Sequence, residues 1–293
     1  MRTLISILSL LPMWALYGVA DYVIYPLIYY IARYRRGLVK RNLKSAFPDK
    51  TDKERKEIER KFYHHFADIM VEIVHGYRAS DQDMRERFVP LNLPDVERWA
   101  EQNQGCIFML GHFGNWEWTA DVQKRFVNPD MRHYNVYRRL KSNDADKAMN
   151  ELREKRSGEG SNLEKNTLLR SIVKIHREGK PFTLGLISDQ KVAPDKQFIW
   201  TEFLHRNTSF LDGGENLAKK FNYAVTYVHI NCFKRGHYSA RVDLITDKPQ
   251  ETEQGYITRE FARRLEANIL EQPEMWLWTH NRWKHCPPAE DAK

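Results

Sequence analysis

Residues Gly105 to Trp118 constrain the fold more than any other part of this chain. Cys106 to Leu110 is an unbroken apolar run, too short for a helix and suited to a buried strand. Gly111 and Gly114 bracket His112, and glycine permits the sharp turn that must follow such a strand. Glu117 comes five residues after His112. On a continuous helix that interval is about 500°, which turns the two side chains to different faces. They can meet only if His112 lies on the turn and Glu117 in the first turn of a following helix. Glu117 would then fix the imidazole tautomer and leave the other ring nitrogen as a general base. A buried histidine bonded to a glutamate for structure alone fits the same spacing.

The rest of the chain supplies strands and helices around that unit. Thr51-Asp52-Lys53-Glu54 is a capping box, and Phe62, Phe66, Ile69, Met70, Ile73 and Tyr77 continue it as an amphipathic helix. Short helices are predicted from Leu93 to before Gly105 and from about Asn115 to Phe126. Strands are predicted at 133–138, 182–188, 224–233 and 237–244, with helices at about 143–156, 166–177, 214–221 and 254–271. An aromatic run spans 198–203, after a loop containing Pro194. Alternating strands and helices imply an α/β sheet, at least partly parallel.

The N-terminus is different in kind. Leu4 to Ile31 carries one charge, Asp21, and would reach about 42 Å as a helix, enough to cross a bilayer. Arg33, Arg35, Arg36, Lys40, Arg41 and Lys44 follow, which places the C-terminal side in the cytoplasm. Pro12, Pro26 and Asp21 leave a re-entrant or surface-lying helix as the alternative to the favoured single span. The expected organisation is an anchor at 1–33 and one catalytic domain at 34–293. A formal charge of +8 suits an anionic partner such as a phosphorylated substrate, nucleic acid or membrane. Acids are interleaved with the bases, 39 against 47, which argues against nucleic acid.

Several chemistries have no motif here. The chain lacks a G-x-S-x-G elbow, a Walker A loop, a dinucleotide fingerprint and zinc-ligand spacing. Cys106, Cys232 and Cys286 suggest neither a disulfide framework nor a metal site, and Cys106 reads as a small buried hydrophobe. Adjacent His64 and His65 point apart on a helix and do not suggest a metal. Arg138 and Asp189 fall at predicted strand ends, where α/β sheets bind ligands, and Arg153 lies on the next helix. Arginines beside a base suit phosphate or carboxylate groups on a substrate.

Gly111-His112-Phe113-Gly114-Asn115-Trp116-Glu117 resembles the histidine–acid motif of the late acyltransferases of lipid A biosynthesis. Four further blocks resemble the same family in the same order: Arg41-Asn42-Leu43 with Ala46-Phe47-Pro48, Val136-Tyr137-Arg138, Ser188-Asp189-Gln190, and Trp276 to Lys284. Arg139 stands where family members often have proline. The resemblance implies an α/β fold like that of glycerol-phosphate acyltransferases, a central sheet flanked by helices after a membrane-anchoring helix. It implies His112 and Glu117 as catalytic residues and Asn115, Arg138, Arg153 and Asp189 as substrate contacts, with no metal or organic cofactor. The implied reaction transfers a fatty acyl chain from acyl carrier protein to a hydroxyacyl chain of a Kdo-bearing lipid A precursor. No covalent intermediate is expected, and the implied place is the cytoplasmic face of the bacterial inner membrane. An acyltransferase of this family with another lipid acceptor, and a membrane-tethered anion-binding protein, are the alternatives.

Overall fold

In a computed structural model, residues 7–140, 142–192 and 198–285 are described. Leu4 to Ser6, Pro194 and Cys286 lie outside them. The sheet grows outward from the buried strand anticipated above. In β2 (Cys106–Leu110) all five residues are buried, because the strand is covered on both faces. It pairs in parallel with β5 (Phe182–Ile187) on one side and β8 (Ala224–Lys234) on the other. β3 (Arg132–Tyr137) and β4 (Asn162–Glu164) extend the sheet in parallel beyond β5. On the far side β9 (His237–Thr246) runs antiparallel to β8, and β1 (Phe88–Pro90) runs parallel to β9. The order is β1-β9-β8-β2-β5-β3-β4, so β2, β5, β3, β4 and β8 all point their carboxyl ends the same way. β6 (Phe198–Phe203) and β7 (Arg206–Leu211) form a separate antiparallel pair.

Helices cover this sheet. α1 (Met13–Val19) and α2 (Arg36–Ala46) belong to the N-terminal arm. α3 (Asp52–Gly76) starts at the expected capping box, with Thr51 and Glu54 bonding reciprocally. α4 (Asp81–Arg87), α5 (Leu93–Gln102), α6 (Asn143–Ser157), α7 (Leu168–Glu178), α8 (Gly213–Phe221) and α9 (Tyr256–Glu271) follow in order. The helix expected after His112 is a 3₁₀ helix, Trp116–Arg125. α2, α4, β1, β4 and β7 were not anticipated: they are short, or, like α2, read only as a basic cluster, or, like β7, carry Arg206, Asn207, Thr208 and Ser209 instead of an apolar alternation.

The N-terminal segment is not the single straight span expected: among the described residues only the bent pair Met13–Ile31 and Arg36–Ala46, taken together, has the length and composition of a candidate span. No single described helix is long and apolar enough to cross a membrane. The helical stretch Met13–Ile31 continues α1 through two π-type turns and then bends by 83° into α2. Arg33 and Arg35 have φ of 47° and 54° at the bend. The stretch lies along α3: Tyr25 stacks on His64 at 3.6 Å between centroids, and Tyr17 donates to Glu72 at 3.0 Å. Asp21, the one charge in the apolar run, pairs with Arg235 on the β8–β9 turn at 2.6 Å. A lone carboxylate is costly in hydrocarbon, and here a guanidinium on the folded domain satisfies it.

Two glycines shape the turn after β2. A Cβ at Gly111 would sit 2.6 Å from a Leu265 methyl, and Gly114 has φ of +53° with Ile230 at 2.8 Å from its missing Cβ. The chain passes here close against α9 and β8, and only glycine fits. Gly114→Ala combines strain with a clash and is expected to cost about 1–3 kcal/mol. Gly213, with nothing within 4 Å of its missing Cβ, is the control: Gly213→Ala should be near neutral. Thermal unfolding of the two variants checks this.

Candidate active site

Parallel pairing of β2 and β5 decides which residues meet. Leu110 and Ile187 are partners in register, so the residues two places beyond each strand face one another. Those residues are His112 and Asp189. His112 Nδ1 lies 2.6 Å from Asp189 Oδ1, and the His112 backbone N–H donates to Oδ2 at 2.8 Å. The Trp276 indole N–H donates to the same oxygen at 2.8 Å. An imidazole that gives its Nδ1 proton to a carboxylate presents Nε2 as the acceptor. Nε2 faces the Gln190 side-chain amide at 3.3 Å, and the Trp116 ring stands edge-on to the imidazole at 5.0 Å.

The C-terminal segment locks this arrangement. Phe113 and Trp276 form a β-bridge, Leu277 N–H donates to the His112 carbonyl at 3.1 Å, and Gly114 N–H donates to Met275 at 3.0 Å. His280 accepts from the Lys191 backbone N–H at 3.0 Å. Burial lowers His280 to about 4, so it stays neutral and can accept.

The expected bond from Glu117 to the imidazole is not the one formed: Asp189 makes it. Glu117 instead receives the Arg153 guanidinium in a two-pronged pair, 2.8 and 2.7 Å, and accepts from Trp116 Nε1 at 3.2 Å. Residues close in sequence lost to residues close across a strand pair. Arg153, expected to grip an anionic substrate group, has its fork occupied by Glu117. Asn115 is fully buried and turned away from His112, donating to Glu72 Oε2 at 2.8 Å. It braces the turn, which is a different task from the substrate contact implied earlier. Arg138 directly follows β3 and is exposed at the carboxyl edge of the sheet. Thus His112, Asp189, Glu117 and Arg153 gather at one place, Arg138 lies at the rim, and Asn115 sits behind.

Each charge has a physical cause. Burial pulls His112 down, but the adjacent Asp189 charge and hydrogen bond outweigh it, with Glu117 adding, so the net shift is upward. Burial pushes Asp189 up, yet His112 and the backbone and indole donors hold it at about 2. Glu117 would also rise on burial, but the charge and bonds of Arg153 bring it below its ordinary value. At neutral pH the site therefore holds two carboxylates and one guanidinium around an imidazole whose pKa is raised above its ordinary value.

Glu72 and Tyr238 were not singled out from the sequence, and Trp276 entered only as the start of the C-terminal block, without a role. Glu72 is fully buried and accepts from Asn115, Tyr238 at 2.9 Å and Tyr17. Burial, its largest cause, raises it to about 7. The available signal was Asp68 and Glu72, two acids four residues apart inside the otherwise apolar run from Phe66 to Val74. Among the described residues no group of three or more His, Cys, Asp or Glu side chains is placed to hold a metal ion.

A family model described as bacterial lipid A biosynthesis acyltransferase matches residues 3–285. No curated protein matches the sequence.

The Glu117–Arg153 pair yields a stability prediction. Glu117→Gln leaves a largely buried guanidinium without its counter-charge and is expected to cost about 2–4 kcal/mol. Adding Arg153→Met removes the orphaned charge and should restore most of that loss. Urea unfolding of the single and double variants measures both.

Proposed function

The chain belongs to the bacterial lipid A biosynthesis acyltransferase family, whose members are acyl-transfer enzymes, and from this premise we propose a mechanism, donor and acceptor for its site. The donor is a fatty acyl thioester of acyl carrier protein. The acceptor is a hydroxyl on a hydroxyacyl chain of a Kdo-bearing lipid A precursor, reached from the cytoplasmic face of the inner membrane. The observation that carries the mechanism is the His112–Asp189 pair at the carboxyl ends of two adjacent parallel strands.

His112 Nε2 takes the proton from the acceptor hydroxyl as its oxygen attacks the thioester carbonyl. Asp189 holds the ring in the tautomer that leaves Nε2 free and stabilises the imidazolium that forms. The tetrahedral intermediate then collapses, the C–S bond breaks, and the imidazolium returns its proton to the departing sulfur. The products are an ester and the carrier thiol, with no acyl-enzyme intermediate. Glu117 adds negative potential beside the imidazolium and is itself kept charged by Arg153. Arg138, exposed at the rim, is assigned to phosphate or Kdo carboxylate groups of the acceptor. A different lipid acceptor, such as a lysophospholipid, would use the same His112 chemistry, and assaying both acceptors separates the two.

Four outcomes follow for the assay with purified enzyme. His112→Ala should lower kcat by about 10²–10⁴-fold while the protein still folds. His112 must be unprotonated to act, and its pKa is raised above the ordinary 6.5, so kcat/KM should fall as pH drops through a value above 6.5. Asp189→Asn removes the main cause of that rise and leaves burial opposed only by the weaker pull of Glu117. Its acid limb should move to lower pH while kcat falls. Arg138→Ala should raise KM for the lipid acceptor several-fold with kcat nearly unchanged. An unshifted acid limb in Asp189→Asn would contradict the assignment.

A further inference from the structure

The outward face of the N-terminal segment has no partner in the fold. Its inner face is buried through Met13, Leu16, Ala20, Tyr25 and Tyr29. On the other side Trp14 is 78 % exposed, Tyr22 85 % and Ile31 74 %, with Leu10, Val23 and Tyr30 also exposed. Asp21 is the one charge between residues 7 and 32, and Arg235 draws it against the domain. A contiguous apolar face of this extent marks an interaction site. Tryptophan and tyrosine among aliphatic side chains is the composition that settles at a membrane–water boundary.

We propose that residues 7–34 lie flat in the surface of an anionic bilayer and do not cross it. Two sets of observations carry this. The first is the attachment of the segment to the domain. Arg235 bridges Asp21 at 2.6 Å and Asp68 at 2.5 Å, Tyr17 bonds Glu72, and Tyr25 stacks on His64. Standing the segment upright would break the Arg235–Asp21, Tyr17–Glu72 and Tyr25–His64 contacts, carry Asp21 into hydrocarbon and strip the Tyr17 donor from Glu72. The second is charge. Arg33, Arg35, Lys40, Arg41 and Lys44 are exposed directly after the apolar face, at and beyond the bend. Anionic headgroups complement them. A second copy of the chain docking symmetrically on the same face would bring two such clusters toward each other, which is unfavourable.

The same surface leads to the site. Arg35 Nη1 donates to the Thr279 carbonyl at 2.9 Å, and Asn42 Nδ2 donates to the carbonyls of Trp278 at 3.0 Å and His280 at 3.2 Å. That C-terminal segment carries Trp276 to Asp189 and His280 to the loop after it. The basic arm thus runs from the lipid-facing side chains to the rim of the candidate site, so a lipid substrate can arrive without leaving the surface. The docking geometry is independent of the acyl-transfer reading and stands or falls separately from it.

Two measurements on the full chain test the proposal. In flotation with vesicles of phosphatidylethanolamine and phosphatidylglycerol, the wild type should bind, and more weakly at high salt. The triple variant Trp14→Ser, Tyr22→Ser, Ile31→Ser, all on the outer face and away from the site, should bind at least about tenfold less. Circular dichroism on the same samples verifies that it is folded. In spheroplasts, an N-terminal epitope tag should resist external protease together with the domain. A tag digested from outside while the domain is protected would show a span and overturn the proposal. Wild-type flotation by the triple variant would overturn it too, as would a solution dimer that the triple variant converts to monomer without any loss of vesicle binding.

Discussion

The carboxylate of Asp189 is the point on which the site depends. It is buried, and no lysine or arginine pairs with it among its described hydrogen bonds. Three donors take that place, and each comes from a different consequence of the fold. The imidazole arrives through the β2–β5 register. The His112 amide can approach because Gly111 carries no Cβ, which would stand 3.3 Å from the carboxylate. The indole arrives from a segment 87 residues away that closes over the turn. A buried anion satisfied by neutral donors gains most when one of them becomes a cation. That is the charge change which proton abstraction by His112 produces.

Around this pair the remaining acids are separated by their surroundings. Glu117 is held charged by a guanidinium, whereas Glu72, behind the turn, is surrounded by an amide and two phenols and rises to about 7. Both are buried; the difference is whether a cation is present. Glu72 also joins the N-terminal segment to the His112 turn, through Tyr17 on one side and Asn115 on the other. The position of that segment and the geometry of the turn are therefore not independent.

Much of the architecture was legible in the sequence because local rules decided it. The apolar run at Cys106–Leu110, the capping box at Thr51 and the glycines around His112 act within a few residues, and the structure follows them. The identity of the imidazole partner was not local. Glu117 is near His112 along the chain, but parallel register brings Asp189 from 77 residues away, and nothing in a single strand encodes its register with another. The N-terminal segment shows the same limit. Its length and apolar character suggested a span, while its orientation is set by Glu72 and Arg235, 55 and 214 residues from their partners. β7 escaped notice because its polar residues mask a strand whose middle is buried against the C-terminal tryptophans, with Trp283 donating to Thr208 at 2.8 Å.

The central claim concerns one proton on one ring. Nitrogen-15 NMR of histidine-labelled protein observes it directly, with the His112 signals among the 11 histidines assigned by a His112→Gln variant. The account requires titration above the ordinary 6.5, the Nδ1–H tautomer once the ring has lost its extra proton, and a strongly deshielded Nδ1 proton shared with Asp189. An Nε2–H tautomer, or titration at an unshifted value with no deshielded proton, would contradict it.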